Sequence, residues 1–184
     1  MTPPPPRLTK KLCLLGGTAV GKTSLVQRYV RDSFDESYRE TLGVAIHSMD
    51  VAAGDCPVRL LLWDLEGLSA PMAQYREDFL LGAHGYVLVV DATRAETLDI
   101  AHSLHDIATG MLGTVPFVTL FNKADLKSRW DLQPGDIEKM AAISSHLYET
   151  SAKTGQNVRE AFERLTALML EADGAPTRSD ADEG

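Results

Sequence analysis

A glycine-rich segment near the start of the chain carries residue types that bind phosphate groups. It consists of small residues followed by a lysine and two hydroxyl residues, Gly16-Gly17-Thr18-Ala19-Val20-Gly21-Lys22-Thr23-Ser24. An apolar run precedes it and a helical stretch follows, which is the context of a P-loop, where backbone N–H groups face phosphates at a helix N-terminus. We expect residues 17–24 to bind phosphate, with Lys22 reaching the β- and γ-phosphates and Thr23 offering its hydroxyl to Mg²⁺.

A P-loop is compatible with ATPases, kinases and GTPases, and two later segments distinguish between them. In Asn122-Lys123-Ala124-Asp125, the Asp125 carboxylate can accept from the N1–H and the exocyclic amine that guanine has and adenine lacks. Ser151-Ala152-Lys153 follows the last predicted strand and supplies a backbone N–H for the guanine carbonyl, with Lys153 beside the base. Because a mismatched base would leave buried polar groups unpaired, we expect this site to select guanine.

The composition is that of a soluble globular domain. The 184 residues are 44% hydrophobic and 24% charged, with a formal net charge of -8, and this balance excludes a disordered chain. The acidic charge argues against a broad nucleic-acid surface and against anionic membranes. The only cysteines are Cys13 and Cys56, which favours a reducing environment. We therefore expect a cytoplasmic protein with no nucleic-acid partner.

Short apolar runs alternate with amphipathic stretches from Lys11 onward, which is typical of parallel strands joined by crossover helices. Six strands are predicted, at residues 12–15, 45–52, 58–63, 86–91, 116–121 and 146–149. The turn residues Gly54-Asp55 lie between the second and third of these runs and predict a hairpin, hence one antiparallel edge. The predicted fold class is an α/β P-loop domain with three layers, α/β/α, and a six-stranded, mostly parallel sheet.

Two tails are predicted to flank this single domain. Residues 1–9 contain four consecutive prolines and are expected to be disordered, as are the polar, acidic residues 172–184. The domain is expected to span residues 10–171. Its last helix can be capped by Asn157, and its core-facing stripe is predicted to consist of Val158, Phe162, Leu165 and Met169.

These segments together resemble the Ras-type small GTPases over about residues 10–170, with the Rab branch as the most similar. The Rab-like segments include, besides the glycine-rich loop and the two guanine-selecting segments, Phe34, Tyr38, Thr41-Leu42-Gly43-Val44, Trp63-Asp64 and Gly82-Ala83-His84-Gly85. The resemblance implies a guanine-nucleotide switch that binds GTP or GDP with Mg²⁺ and hydrolyses GTP to GDP and phosphate.

The resemblance also implies roles for residues outside the glycine-rich loop. Phe34 would pack edge-on against the guanine, and Tyr38 would lie in the same nucleotide-binding segment. Thr41 would bind Mg²⁺ and the γ-phosphate when GTP is present, and Asp64 would hold Mg²⁺ through a water. The metal-binding residues would therefore be Thr23, Thr41 and Asp64.

Catalysis and partner binding are assigned by the same resemblance. The backbone N–H of Gly67 would meet the γ-phosphate, so the implied catalytic residues are Lys22, Thr41 and Gly67. Loops 35–44 and 64–80 would be the two switches, which change conformation when the γ-phosphate is lost. An exchange factor, an activating protein and an effector would bind through these switch loops.

The chain departs from the family where the family usually has Asp-x-x-Gly-Gln. Here the run is Asp64-Leu65-Glu66-Gly67-Leu68, and Leu68 cannot orient an attacking water as glutamine does. Intrinsic hydrolysis is therefore expected to fall below an already slow rate, unless the chain compensates through Gln74, Arg76 or Arg39. The Glu66 carboxylate would add repulsion beside the γ-phosphate and could weaken GTP relative to GDP.

Rab relatives also end in cysteines that are prenylated, whereas the last cysteine here is Cys56. We therefore expect no lipid anchor of that kind, and the chain is similar in this respect to the small GTPases of prokaryotes. Two functions are compatible with these features. One is a GTP-hydrolysing switch, and the alternative is a hydrolysis-deficient, GTP-bound scaffold that recruits protein partners.

Overall fold

One six-stranded sheet forms the centre of the protein. The computed structural model describes residues 8–37, 41–53, 56–67, 77–144 and 146–174. The strands are β1 (Leu8–Gly16), β2 (Val44–Ala53), β3 (Cys56–Leu65), β4 (Gly85–Asp91), β5 (Phe117–Asn122) and β6 (Leu147–Glu149). Their order in the sheet is β2-β3-β1-β4-β5-β6. The β2 and β3 pair is antiparallel and the other pairs are parallel.

Helices cover both faces of this sheet. They are α1 (Lys22–Arg31), α2 (Glu77–Leu80), α3 (Glu96–Leu112), α4 (Pro134–Ile143) and α5 (Val158–Glu171), with a 3-10 segment at Ala124–Arg129. One buried cluster joins the sheet to α1 and α5, and a second joins the opposite face to α2, α3 and α4. The predicted three-layer α/β/α class is confirmed.

The strand β1 shows how the sequence produces two cores from one sheet. Successive side chains in a strand point to opposite faces, so Leu12 and Leu14 enter the first cluster while Cys13 and Leu15 enter the second. Because β1 is covered on both faces, its central residues read as a continuous apolar run rather than an alternating one. The same holds for β4, all of which is buried.

The parallel strands bring five chain segments to one edge of the sheet. These segments follow β1, β3, β4, β5 and β6, and the carboxyl ends of parallel strands meet at the same edge. The predicted phosphate-binding and guanine-selecting segments are three of these five. The fold therefore gathers segments that lie more than a hundred positions apart in the chain.

Two local predictions can be compared with the structure. The stripe on α5 is confirmed, since Val158, Phe162, Leu165 and Met169 are all buried in the first cluster. The predicted side-chain cap by Asn157 is wrong. Asn157 precedes α5 with a left-handed backbone (φ 53°) and makes no side-chain capping bond, because its amide donates to the carbonyl of Glu149 at 2.9 Å.

The described part of the chain begins at Leu8 and ends at Gly174. Near its C-terminal end, backbone hydrogen bonds continue through Gly174, and Asp173 forms an ion pair with the buried Lys10. Residues 1–7 and 175–184 lie outside the described part of the chain, as does the predicted hairpin turn Gly54-Asp55.

Candidate functional site

The loop between β1 and α1 has a backbone shaped to receive an anion. Ala19 and Gly21 both have positive φ values, 58° and 102°, and alternation of this kind turns successive N–H groups toward a common point. Gly21 is also required sterically, because a Cβ there would lie 2.3 Å from Nδ2 of Asn122. The positive φ of Ala19 is unfavourable for a residue with a Cβ, and such strain is common at binding sites.

Lys22 is the first residue of α1, and its side chain folds back over this loop. Its ammonium group donates to the carbonyls of Gly16 at 3.0 Å and Gly17 at 2.9 Å, and the residue is only 6% exposed. An anion in the loop would therefore meet a fixed cation together with the positive end of the α1 dipole. Both terms favour a phosphate group.

Three oxygen-bearing side chains converge beside the first turn of α1. The hydroxyl of Thr23 donates to Oδ2 of Asp64 at 2.6 Å, and the hydroxyl oxygens of Thr23 and Thr41 lie 2.7 Å apart. Asp64 is fully buried and its Oδ1 has no hydrogen-bond partner among the described residues. Burial raises the pKa of Asp64, although the hydrogen bond from Thr23 and the charge of Lys22 oppose the change.

This donor set fits a hard divalent cation. Mg²⁺ prefers hydroxyl and carboxylate oxygens and retains several waters, so two hydroxyls and one carboxylate beside a phosphate site are suitable ligands. A cation would also compensate the buried charge of Asp64, one oxygen of which has no hydrogen-bond partner in the described part of the chain. The residues predicted as metal ligands are thus brought together by the fold.

The segment after β3 lies directly against the loop between β1 and α1, residues 17–21, which we call the phosphate loop after its predicted role. A Cβ on Gly67 would fall 2.3 Å from Cα of Thr18 and 2.7 Å from its backbone nitrogen, so glycine alone allows this close approach. One residue earlier, the carboxylate of Glu66 accepts from the backbone N–H of Gly43 at 2.8 Å. Parts of both predicted switches therefore meet beside the loop. Leu68, Gln74, Arg76, Arg39 and Tyr38 lie outside the described residues.

On the other side of the cavity, Asn122 connects three segments. Its amide nitrogen donates to the carbonyl of Val20 at 2.9 Å, and its oxygen accepts from the backbone N–H of Ala152 at 3.2 Å. The hydroxyl of Thr150 also points to this oxygen, at 3.4 Å. Asn122 is 2% exposed, so these bonds are made in a setting where an unpaired amide would be costly. Asn122 therefore fixes the phosphate loop against the loop that follows β6.

The predicted guanine-selecting residues line the same cavity as the phosphate loop. The volume of the cavity is about 530 Å³. Among the predicted site residues, those lining it are Ala19, Gly21, Lys22, Thr23, Ser24, Phe34, Thr41, Gly67, Asn122, Lys123, Asp125, Ala152 and Lys153. Five further predicted residues lie behind this lining and contact it, namely Gly17, Thr18, Val20, Asp64 and Ser151.

The carboxylate of Asp125 is oriented by a neighbouring hydroxyl. Ser151 donates to Oδ1 of Asp125 at 2.6 Å, and the same hydroxyl oxygen accepts from the backbone N–H of Thr154 at 3.1 Å. At the mouth, Lys153 forms an ion pair with Glu36 at 3.0 Å. This hydrogen bond to Glu36 raises the pKa of Lys153. The ion pair links the beginning of the first switch to the loop after β6.

Sequence reasoning missed a charged network under Lys123. Asp91, the fully buried last residue of β4, accepts from Lys123 at 2.6 Å and from Arg94 at 2.9 Å. Arg94 also donates to the carbonyl of Thr18 at 2.8 Å. Burial would raise the pKa of Asp91, but the hydrogen bonds from Lys123, Thr93 and Arg94 outweigh it, so the pKa is lowered. The signal available in the sequence was a carboxylate ending an apolar run.

Arg28 was missed as well. Its guanidinium donates to the carbonyl of Ala152 at 2.8 Å and to that of Lys153 at 2.6 Å. These bonds connect α1 to the loop after β6 across more than a hundred positions of sequence. No spacing rule relates residues so far apart, so the contact could be found only from the fold.

Comparison with known proteins adds one finding to this geometry. The family model described as the Ras family matches residues 11–171 of the chain. The match covers all six strands except the first three residues of β1, and it includes every predicted site residue. Across the described ranges, no helix has the length and apolar character needed to cross a bilayer.

Proposed function

Because this chain belongs to the Ras family, whose members bind guanine nucleotides and act as GTPase switches, we propose that its cavity holds GTP or GDP with Mg²⁺ and that it hydrolyses GTP slowly. We also propose that, within this family, the chain is most similar to the Rab branch. The observation that carries the proposal is the meeting of the phosphate loop and the guanine-selecting loops around one cavity of about 530 Å³.

The base would lie against the loops that follow β5 and β6. Asp125 would accept two hydrogen bonds from guanine, and its carboxylate is already oriented by Ser151. A backbone N–H of residues 151–153 would donate to the guanine carbonyl, and Phe34, Ala152 and Lys153 also line the cavity. An adenine in this position would leave the buried polar groups mismatched, which supports selection of guanine.

The phosphates would occupy the loop before α1. Lys22 would bridge the β- and γ-phosphates, and the backbone N–H groups around Ala19 and Gly21 would surround them. Thr23, Thr41 and Asp64 would hold Mg²⁺, Asp64 through a water. A cation held there would supply positive charge to neutralise the phosphates as charge develops on them.

Hydrolysis depends on how the attacking water is positioned. The backbone N–H of Gly67 would meet the γ-phosphate, and the packing of Gly67 on Thr18 fits that role. The next residue, Leu68, offers no polar atom to a water, so a major part of the usual positioning is lost. This supports a slow intrinsic rate, and it equally favours the alternative of a GTP-bound scaffold with no significant turnover.

Partners would bind through the switch loops 35–44 and 64–80. Two apolar side chains at or beside the start of β2 support this, since Leu42 is 82% exposed and Ile46 is 53% exposed. Exposed apolar side chains beside a nucleotide-dependent loop provide a surface that changes with the bound nucleotide. An effector, an exchange factor and an activating protein are the expected partner classes.

Single-turnover hydrolysis tests the proposal. The purified protein is loaded with GTP and Mg²⁺, and phosphate release is followed for the wild type and for Leu68→Gln. We expect the wild type to be slow and Leu68→Gln to be at least about 10-fold faster, since a positioned water is worth one or more powers of ten in rate. Leu126→Gln, at a leucine that lines the cavity, is the control for adding a glutamine near the nucleotide.

The outcomes separate the two functions. If the wild type binds GTP but only Leu68→Gln releases phosphate, the protein is either a switch that needs a partner or a persistent GTP-bound module. If a cell extract then accelerates phosphate release by the wild type, the protein is the partner-dependent switch. Fast release by the wild type with no gain in Leu68→Gln would mean that another residue positions the water. Failure of the wild type to bind any guanine nucleotide would overturn the proposed function itself.

A further inference from the structure

The two switch segments are joined by a pair of hydrogen bonds at the end of the β2 and β3 ladder. The backbone N–H of Glu66 donates to the carbonyl of Gly43 at 2.9 Å. In return, the N–H of Gly43 donates to the side-chain carboxylate of Glu66 at 2.8 Å. These bonds extend the antiparallel pairing by one step beyond Val44 and Leu65, and the second of them is made by a side chain.

The backbone of Gly43 is suited to this contact. Its φ is 71°, a conformation that residues with a Cβ adopt rarely. Apart from Gly43 and its two chain neighbours, no heavy atom of the described residues lies within 4 Å of where a Cβ would be. The positive φ therefore reflects the path of the backbone rather than crowding around it. A glycine at this position allows the segment that begins at Thr41 to turn, so that the backbone N–H of Gly43 faces the Glu66 carboxylate.

The contact acts two residues from a predicted metal ligand. Thr41 lies against Thr23, with 2.7 Å between their hydroxyl oxygens, and this is the arrangement in which both hydroxyls can reach one cation. A bond that holds Gly43 also limits where Thr41 can go, because only Leu42 separates them. Since the acceptor is a carboxylate, the bond is expected to be stronger than a neutral one.

We infer that Glu66 is a positioning residue that holds Thr41 and Gly43 of the first switch in a closed arrangement, with Thr41 next to Thr23 at the cation site. Glu66 thereby favours the triphosphate over the diphosphate. This inference rests on the proposed function. If the γ-phosphate binds best when Thr41 is next to Thr23, then any group that populates this closed arrangement beforehand raises triphosphate affinity. The diphosphate makes no γ-phosphate contact and gains less.

The opposite effect is expected if the carboxylate acts only by its charge. A carboxylate near the γ-phosphate would repel it, and removal of that charge would then strengthen triphosphate binding. The two effects of Glu66 therefore have opposite signs in one measurable quantity, the ratio of the affinity for a non-hydrolysable GTP analogue to the affinity for GDP. The geometry points to the first, because one carboxylate oxygen already accepts from Gly43.

The experiment measures this ratio with Mg²⁺ present for the wild type, Glu66→Ala and Glu66→Gln. We expect Glu66→Ala to lower the ratio by about 10-fold, the effect of losing one charge-assisted hydrogen bond. Glu66→Gln keeps an acceptor oxygen without the charge and should lower it by about 3-fold or less. Asp50→Asn is the charge control, since Asp50 lies on β2 but pairs with Arg59, and it should leave the ratio unchanged.

The outcomes distinguish this inference from the proposed function. GDP affinity close to that of the wild type in both variants shows that the site is intact, so a lowered ratio reports on the closed arrangement. A ratio that rises in both variants would establish repulsion and overturn the inference, and an unchanged ratio would overturn it as well. If Glu66→Ala does not fold, the sign of the change in Glu66→Gln decides. A wild type that binds neither nucleotide contradicts the proposed function instead.

Discussion

The two ends of the cavity are held together by different means. At the base end, Asn122 is almost fully buried and bonds to segments 102 and 30 positions away, while Arg28 bonds to the loop after β6. At the switch end, the segments of Thr41 and Glu66 are partly exposed and are connected by the contacts between Thr23 and Thr41 and between Gly43 and Glu66. The base end is part of the folded core, whereas at the switch end Thr41 and Gly43 are held by a few partly exposed polar contacts.

Because of this difference, we expect the two ends of the cavity to contribute differently to nucleotide binding. Buried, fully paired polar groups are costly to disturb, so the base end should keep its shape whichever nucleotide is bound. Contacts that are few and partly exposed are worth little individually, and a ligand can therefore shift their populations. We expect most of the affinity for nucleotide to come from the phosphate loop and the base end, and the discrimination between GTP and GDP to come from the switch end.

The largest expected effect is that of Lys22→Ala. This change removes the cation that faces the phosphates and also leaves the carbonyls of Gly16 and Gly17 without their donor. Affinity for both GDP and the GTP analogue should fall by more than about 100-fold, since a charge-assisted contact and buried acceptors are lost together. Isothermal titration measures it, with Lys139→Ala, an exposed lysine on α4, as the control. Retained affinity would show that the cavity does not bind phosphate through this loop.

Asn122→Ala tests whether the base end is preassembled. The change breaks the bonds to Val20 and Ala152 and leaves a buried N–H and a buried carbonyl unpaired. We expect a loss of about 2 to 3 kcal/mol, or about 30- to 150-fold in affinity, of similar size for GDP and the GTP analogue. Equilibrium titration of both nucleotides measures it. A loss confined to the triphosphate would contradict the division between the two ends.

Thr41→Ala tests the switch end. The hydroxyl of Thr41 contacts that of Thr23 and would reach Mg²⁺ only in the closed arrangement, so its loss should weaken the GTP analogue by about 10-fold and change GDP affinity little. The effect should disappear when Mg²⁺ is chelated. Ser37→Ala in the same segment is the control, since its hydroxyl bonds to Asp35 instead. Equal losses for the two nucleotides would remove the distinction.

The sequence predicted the fold well because its information is local. Each strand was recognisable as an apolar run, and the turn residues between the second and third runs predicted the antiparallel edge that the structure contains. The phosphate loop was recognisable because its residues are contiguous. Residues such as Arg28 and Arg94 were missed because their partners, Ala152 and Thr18, lie 124 and 76 positions away. Only the fold brings such pairs together.

The wrong prediction for Asn157 has a related cause. A side chain that can cap a helix can also bond to another nearby carbonyl, and here the carbonyl of Glu149 at the end of β6 takes the amide. Local propensity predicted the start of α5 correctly, but it did not predict the hydrogen-bond partner of the Asn157 side chain. For the same reason the sequence suggested repulsion by Glu66, whereas its bond to Gly43 depends on the pairing of β2 with β3.

The smallest expected effect concerns the network beneath Lys123. Hydrogen bonds hold the pKa of Asp91 below its ordinary value in the folded protein. The pKa of an aspartate in the unfolded chain is about 3.9. Asp91 therefore stabilises the fold fully above that value, and this contribution should be lost as the pH falls through the lower folded pKa. Urea unfolding of the wild type between about pH 5 and pH 2 should show this loss.

The variant Asp91→Asn should have a free energy of unfolding about 1 to 2 kcal/mol lower than that of the wild type at pH 7. The reduction is modest because Lys123 and Arg94 are partly exposed. The free energy of unfolding of the variant should also depend less steeply on pH at the acid end. Asp50→Asn, which removes an exposed carboxylate, should keep the wild-type slope. An equal slope in wild type and Asp91→Asn would mean that this network does not anchor the base end, and the contrast between the two ends would then rest on Asn122 and Arg28 alone.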